Sequence, residues 1–256
     1  NEGQAYKGPK IALRGWVIGW VSPDRVHWKR MDGHLAGFPM DGGLSAHYDP
    51  YTETYFAYCR IHHRQPGELT GIGTGIPEVG IGRRAIGISR TKDFRDWPSP
   101  KLLLHPDAQD DPDISFYGSE YFSYPGRTDL HCMLIQVYHQ ITDHVDSQIA
   151  FSRDGLFWHR PERKAIIPVG DLGSGDDCTV YSWGSGLVEL PDGYWGSLYG
   201  GSSVLHNAPE SEWRGSPSQD SQIRWARWKP HRFCGLESKG EGRFTIPGIT
   251  RSKKEL

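Results

Sequence analysis

A chain of 256 residues is long enough to bury a full core, as one large all-β domain or as two smaller ones. With 29 Lys and Arg against 31 Asp and Glu the charge is nearly balanced, which excludes a broadly basic surface for nucleic acid or anionic membrane. No apolar run reaches the roughly 18 residues that a membrane span needs, and 32 Gly, 18 Pro and 10 Trp favour many short strands over long helices.

The chain opens at Asn1 without a charged-then-apolar leader, so any secretion signal has been removed or lies outside it, and localisation stays open. The four cysteines, Cys59, Cys132, Cys178 and Cys234, lack zinc-ligand spacing and are expected to be buried free thiols, with a disulfide as the alternative.

In chain order, the first strong signal is "GWVSPDRVHWKR" from Gly19, an apolar pair, a Ser-Pro-Asp turn and an aromatic. The pattern returns as "GISRTKDFRDWPS" from Gly87 with two residues inserted, and as "AFSRDGLFWHRP" from Ala150, where Ser152, Asp154 and Trp158 keep the spacing of Ser22, Asp24 and Trp28. A degenerate copy, "RWARWKPHRFCGLES", starts at Arg224. Ahead of the last three copies lie paired strand-like segments: "LSAHYDP" with "TYFAYCRI", "EYFSYPG" with "LHCMLIQVYH", and "SWGSGLVEL" with "YWGSLYGG", joined by Asp-Pro, Pro-Gly and Pro-Asp-Gly turns. Each unit reads as four antiparallel strands, and a recurrence of such units predicts a radial repeat, an all-β propeller. A β-sandwich is the alternative.

The strings "GRRAIGISRTKDFRDW", "DPDISFYGSEYFSYPG", "VDSQIAFSRDGLFWHRP" and "RWARWKPHRFCGLE" resemble the five-bladed β-propeller glycoside hydrolases, the invertase-like and arabinanase-like superfamily, over residues 11 to 238. The resemblance implies a five-bladed propeller whose N-terminal part is missing, with residues 1–238 as a partial first blade and three full blades. Residues 239–256 are then a linker and the start of a following β segment. It also implies a periplasmic or secreted location and an oligo- or polysaccharide substrate.

Up-and-down connectivity sorts the loops. Short turns share one face, and the long connections 62–83, 99–117, 139–146, 165–180 and 201–221 share the other, where a binding pocket is expected. Asp24, Asp49, Asp93, Asp154 and Asp192 fall in the short turns and are expected to accept backbone N–H bonds. Acids on the long-loop rim are the catalytic candidates: Asp113 first, then Asp177 and Asp41, with Asp111 and Asp176 beside them, and Glu120 within a strand. Two such carboxyls can flank a glycosidic oxygen as acid and base or nucleophile. His62, His63, His139, His206 and Asp146 offer hydrogen bonds to sugar hydroxyls, and Tyr117, Tyr181 and Trp183 offer flat apolar faces.

No residue spacing marks a metal site or cofactor, although the rim acids could hold a structural cation such as calcium. "GIGTGIPEVGIG" at 71–82 lacks the Gly-Lys-Ser/Thr of a phosphate loop and reads as a flexible connection. The expected activity is therefore hydrolysis of a terminal glycosidic bond. The alternatives are a non-catalytic glycan-binding propeller and a polysaccharide lyase in which His or Tyr takes a proton beside a uronate and Arg60 or Arg64 neutralises the acid.

Overall fold

In the computed structural model, residues 17–36, 43–63, 83–182, 186–208, 221–235, 237 and 239–243 are described. The Ser-x-Asp string folds the same way in its first and third copies, whereas in the second, with its two inserted residues, Ser89 donates to the Pro98 carbonyl and Asp93 accepts the Arg95 N–H. In its third copy Asp154 Oδ1 accepts the N–H groups of Leu156 (2.8 Å) and Phe157 (2.9 Å), Ser152 Oγ donates to the same oxygen, and the Trp158 indole donates to the Gly155 carbonyl at 3.0 Å. The first copy repeats each bond: Asp24 takes the N–H groups of Val26 and His27, and the Trp28 indole reaches the Arg25 carbonyl at 3.2 Å. The residue after the aspartate turns through positive φ in both, Arg25 at 63° and Gly155 at 72°. The aspartate thus supplies acceptors for a turn whose N–H groups the ladder cannot reach.

At Gly155 the turn has a further demand. A Cβ there would sit 2.8 Å from the Tyr58 hydroxyl, which donates to the Gly155 carbonyl at 3.0 Å. Gly155→Ala is expected to cost about 1–2 kcal/mol for the left-handed backbone plus whatever displacing Tyr58 costs. Gly126→Ala, also at positive φ but facing open space, is the control. Urea denaturation of the two variants checks this, with the larger loss at Gly155.

These hairpins connect fourteen strands among the described residues. β1 (Trp20–Val21) and β2 (Lys29–Arg30) form a two-stranded sheet. β3 (Ser45–Asp49), β4 (Thr54–His63), β5 (Arg83–Thr91) and β6 (Lys101–Leu104) form a four-stranded antiparallel meander. β7 (Ile114–Ser123), β8 (His131–His139), β9 (His144–Ser152) and β10 (Trp158–His159) start a second meander. β11 (Thr179–Ser182), β12 (Val188–Glu189), β13 (Trp195–Ser202) and β14 (Gln222–Trp228) complete the series.

Most of the paired segments and hairpins read from the sequence are strands, but β6 falls within the connection expected at 99–117, the segment expected at 182–190 is met by the end of β11 and by β12, no strand follows β14 among the described residues, and the five-bladed propeller does not hold. The last two groups are not separate blades: β11 runs parallel to β9 through the Thr179–Val145 pair, which fuses them into one eight-stranded sheet. The two- and four-stranded sheets are open paths, the eight-stranded sheet is branched, with β10 on β9 and β14 on β13 beside its main run from β12 to β7, and none of the three closes on itself. Closure into a radial array needs each unit to stand apart and pack by its faces alone. Here the backbone of one unit pairs with the next instead. Of the segment expected after residue 238, residues 239–243 carry no strand, and the remainder lies outside the described residues.

β8 shows why the run "HCMLIQVYH" is apolar almost throughout. Met133, Ile135 and Val137 point to one side and pack with Phe56, Tyr58 and Ile86 of the four-stranded sheet. Cys132 and Leu134 point to the other and pack with Ile149, Ile167, Val180 and Tyr199. A strand buried on both faces loses the apolar–polar alternation, and each such side chain contributes about 1.5–3 kcal/mol. A third cluster, Met31, Leu35, Ala36, Ala57 and Trp97, attaches the small sheet to the four-stranded one.

All four cysteines are free, with Cys59 and Cys132 buried, Cys178 half-buried and Cys234 exposed. Burial pushes the Cys59 and Cys132 thiols up to about 12. A thiol reagent at neutral pH is therefore expected to label Cys234 in the native protein and to reach Cys59 and Cys132 only after unfolding, as peptide mass spectrometry would show.

Candidate functional site

A cavity of about 690 Å³ opens between the four-stranded sheet and the fused sheet. Its wall is built where strands meet: Gly43 and Leu44 just before β3, Arg60 of β4, Tyr117, Ser119 and Glu120 of β7, Gln136 of β8, Thr179, Tyr181 and Ser182 of β11, the Gly200–Ser202 end of β13, and His206 beyond it. That volume falls within the range of small-ligand sites, roughly 300–1,000 Å³.

A local irregularity aims the key aromatic. The β7–β8 register shifts between Phe116 and Gly118, leaving Tyr117 unpaired in a β-bulge. Gly118 permits it, since a Cβ there would meet the Gln136 side chain at 2.6 Å. So turned, the Tyr117 ring lies 4.5 Å from the His206 ring, edge to face, and 6.1 Å from Tyr181. The Arg60 guanidinium stacks 4.1 Å over the same ring and donates from Nη1 to the Tyr117 carbonyl at 3.0 Å.

His206 is fixed from several sides. Its Nδ1 meets the Tyr181 hydroxyl at 2.9 Å, and its backbone N–H donates to the Asp143 carbonyl. The next residue, Asn207, donates its backbone N–H to Asp143 Oδ2 at 2.7 Å and its amide to the Tyr138 hydroxyl. Burial, then the nearby Arg84 and Arg60 charges, lowers the His206 pKa, so the ring is neutral at pH 7. Burial pushes the Tyr181 phenol well above its ordinary value, so it stays protonated. Glu120 is 9% exposed and lines the cavity from β7. Ser119, beside it, has a buried hydroxyl with no hydrogen-bond partner, a group a ligand could satisfy.

Among the sequence candidates, the structure brings Glu120, Tyr117, Tyr181 and His206 together at this cavity. His139 and Asp146 are paired at 3.0 Å but line a separate cavity of about 360 Å³ with Asp110, Gln148 and Arg163. The bond to Asp146 raises the His139 pKa. His62 and His63 end β4 and line neither cavity, and the His63 ring sits 5.4 Å from that of His105.

Asp113 accepts the Ile141 N–H at 3.3 Å, and Asp177 accepts the Gly173 N–H at 2.9 Å and the Ser203 hydroxyl; neither lines the larger cavity. The Gly173 and Ser203 bonds hold the Asp177 carboxyl below the usual range. Asp176 is buried against Tyr199 (2.8 Å) and Arg224 (2.9 Å). Asp41, Trp183, Arg64 and the 71–82 stretch lie outside the described residues. Sequence reasoning missed Ser119, Gln136 and the β13 glycine-serine end, which carry no pattern beyond their place in a strand. Among the described residues no group of three or more His, Cys, Asp or Glu side chains is placed to hold a metal ion, and no helix is long and apolar enough to cross a membrane.

Comparison with solved structures finds distant matches of low identity. An N-acetylgalactosamine deacetylase from F. plautii, solved with blood group B trisaccharide, matches at 11% identity and TM-score 0.48, covering 83% of this chain and 59% of its own. A glycoside hydrolase matches at 14% and 0.46, over 87% of this chain and 56% of its own. A β-1,2-mannobiose phosphorylase from Listeria innocua, bound to β-1,2-mannobiose, matches at 16% and 0.46, over 73% and 46%. The chain thus spans 46–59% of the length of these proteins. Likeness this distant decides neither activity nor substrate, and its spread over different enzymes does not single out the invertase-like and arabinanase-like group that the sequence resembles. No family model and no curated protein matches the chain.

Proposed function

We propose that the 690 Å³ cavity binds a carbohydrate and that the chain is a glycoside hydrolase with Glu120 as a catalytic carboxyl. The observation that carries this reading is the placement of a buried carboxyl on the cavity wall that also presents an aromatic face, Tyr117, and the hydroxyl and amide groups of Ser119, Gln136 and Ser182. Sugars are recognised by such a mixture: the flat C–H face of the ring covers an aromatic, and the hydroxyls need donors and acceptors in fixed positions. In this reading Glu120 donates a proton to the departing glycosidic oxygen. The second carboxyl, which activates water or attacks the anomeric carbon, is assigned to Asp41, two residues before cavity-lining Gly43 in the sequence. Asp113 and Asp177 hold loops.

One observation favours a second reaction on the same sugar. Among the described lining residues Glu120 is the sole carboxylate, and it shares the cavity with Arg60 and the Tyr181–His206 pair. A neutral His206 could take the proton beside a uronate and eliminate the glycosidic oxygen, the lyase outcome. Incubation with a polysaccharide panel in ¹⁸O-water separates them: one labelled reducing sugar per bond cut means hydrolysis, an unlabelled unsaturated product means elimination. Hydrolysis that survives both Glu120→Gln and Asp41→Asn would overturn the assignment of the carboxyls.

A further inference from the structure

The fourth copy of the hairpin keeps the turn but changes its residues. Trp228 stands where the first and third copies have serine, Pro230 where they have aspartate, and His231 where Arg25 and Gly155 turn through positive φ. His231 has φ 61°, a left-handed conformation that glycine adopts freely and a residue with a Cβ resists. Its ring is held from two sides: Nδ1 meets the Tyr124 hydroxyl at 2.8 Å, and the ring lies edge to face with Trp195 at 4.7 Å. Tyr124 in turn lies edge to face with Trp195 at 5.3 Å. A strained residue whose side chain completes a surface wall points to a site.

That wall belongs to a groove of about 610 Å³, whose lining includes Tyr124, Arg127, Glu189, Trp195, Pro230 and His231. Glu189 lies directly opposite Trp195 in the β12–β13 ladder, so both project from one face of the sheet. The Glu189 side chain is exposed and makes no hydrogen bond among the described residues. Arg127 is fixed at the rim by its Nε and Nη2 bonds to Asp129, both 2.7 Å, which leave Nη1 without a partner among the described residues.

We propose that this groove is a second carbohydrate site, which holds a neutral sugar ring on the Tyr124–Trp195–His231 wall and bonds its hydroxyls through Glu189 and Arg127. Its lining shares no residue with the 690 Å³ cavity, so the inference stands apart from what that cavity binds. The two sites lie at opposite ends of β13, Trp195 and Gly200–Ser202, roughly 17–23 Å apart at the rise of a strand. The C–H face of a sugar covers an aromatic wall, and its hydroxyls take one acceptor and one donor at the rim. A rim with one acid and one base has no net charge to draw an ion. Glu189 is the sole carboxyl among the described lining residues, and glycosidic hydrolysis needs two, so the groove anchors a glycan and does not cut it.

The test is ¹H–¹³C NMR of the intact chain labelled in histidine, titrated with neutral oligosaccharides of glucose, mannose, galactose, xylose and arabinose. The His231 ring signal is assigned by its loss in His231→Gly, a variant whose backbone fits the turn. At least one of these sugars is expected to move that signal saturably. Glu189→Gln, at an exposed position, should weaken the binding about 10-fold or more, the scale of one bond to a charged group. The His206 signal, assigned through His206→Gln, reports on the larger cavity in the same spectra. A His231 signal unmoved by every sugar overturns the inference whatever His206 does, and His206 then judges the cavity on its own. A His231 shift that keeps its full affinity in Glu189→Gln also overturns it. So does a shift produced by a hexaproline peptide and by none of the sugars, which would assign the groove to a polyproline segment.

Discussion

Replacing Glu120 by Gln is expected to lower turnover by about 10²- to 10⁴-fold, the range for removing one proton-transfer group. Gln keeps the size and much of the hydrogen bonding of Glu, so the substitution takes away the ionisable proton and little else. That matters at a residue only 9% exposed in the wall of the cavity, where a truncation would also open space. The loss should fall on kcat and on kcat/KM alike, because a proton donated to the leaving oxygen acts in the transition state and not in the ground state. One limb of the pH–rate profile should vanish with it. Asp113→Asn is the counter-test. A fall of the same size there, with Glu120→Gln near wild type, would move the chemistry out of the cavity to the Ile141 rim, where Asp113 now accepts a backbone N–H.

The ease with which strands could be read, and the difficulty with the site, have one physical origin. Strands and turns are local: β8 is a buried run bounded by turn residues, and Asp24 and Asp154 sit where hairpin N–H groups need an acceptor. The joining of units is not local. The Thr179–Val145 pair brings together residues 34 apart whose side chains carry no pairing signal, and it turns separate blades into one open sheet. Likewise the bulge at Tyr117 shifts the alternation along β7, so whether Tyr117, Ser119 and Glu120 reach one cavity could not be counted off the sequence. The rim acids were legible as acids. That Gly173 and Ser203 would occupy Asp177, and Ile141 would occupy Asp113, depends on loop geometry that no spacing encodes. Arg60 was legible as a cation near the rim, but its stack on Tyr117 follows from the bulge.

The largest stability effect is expected from Asp110→Ala. Asp110 and Arg160 are an ion pair with side chains 1% and 2% exposed, joined by two parallel bonds, of which Arg160 Nη1 to Oδ1 is 2.7 Å. Arg160 also reaches Gln148 at 3.2 Å and lies 4.7 Å over Phe116, and Arg163 adds a contact to Asp110 at 3.0 Å. The pair ties the 105–113 connection to the segment after the third Ser-x-Asp hairpin. Removing the carboxyl leaves the buried guanidinium with only the more exposed Asp107, at 3.8 Å, as counter-ion, a loss of up to about 3–5 kcal/mol. Urea denaturation should show a lower midpoint with little change in slope. The double variant Asp110→Leu/Arg160→Met should recover most of the loss, since neither charge then has to be desolvated. A double variant as unstable as the single one would mean that the loop depends on the bonds themselves. The pH dependence has a definite sign. Burial alone would raise the Asp110 pKa, but the bonds from Arg160, the Asp107 backbone and Arg163 outweigh it and hold the carboxyl below its ordinary value. A carboxyl depressed in the folded state stabilises fully above its unfolded pKa, near 3.9, and that stability disappears as pH falls through the folded value. The wild type should therefore lose this contribution only below about pH 4, and the gap between wild type and Asp110→Ala should narrow there.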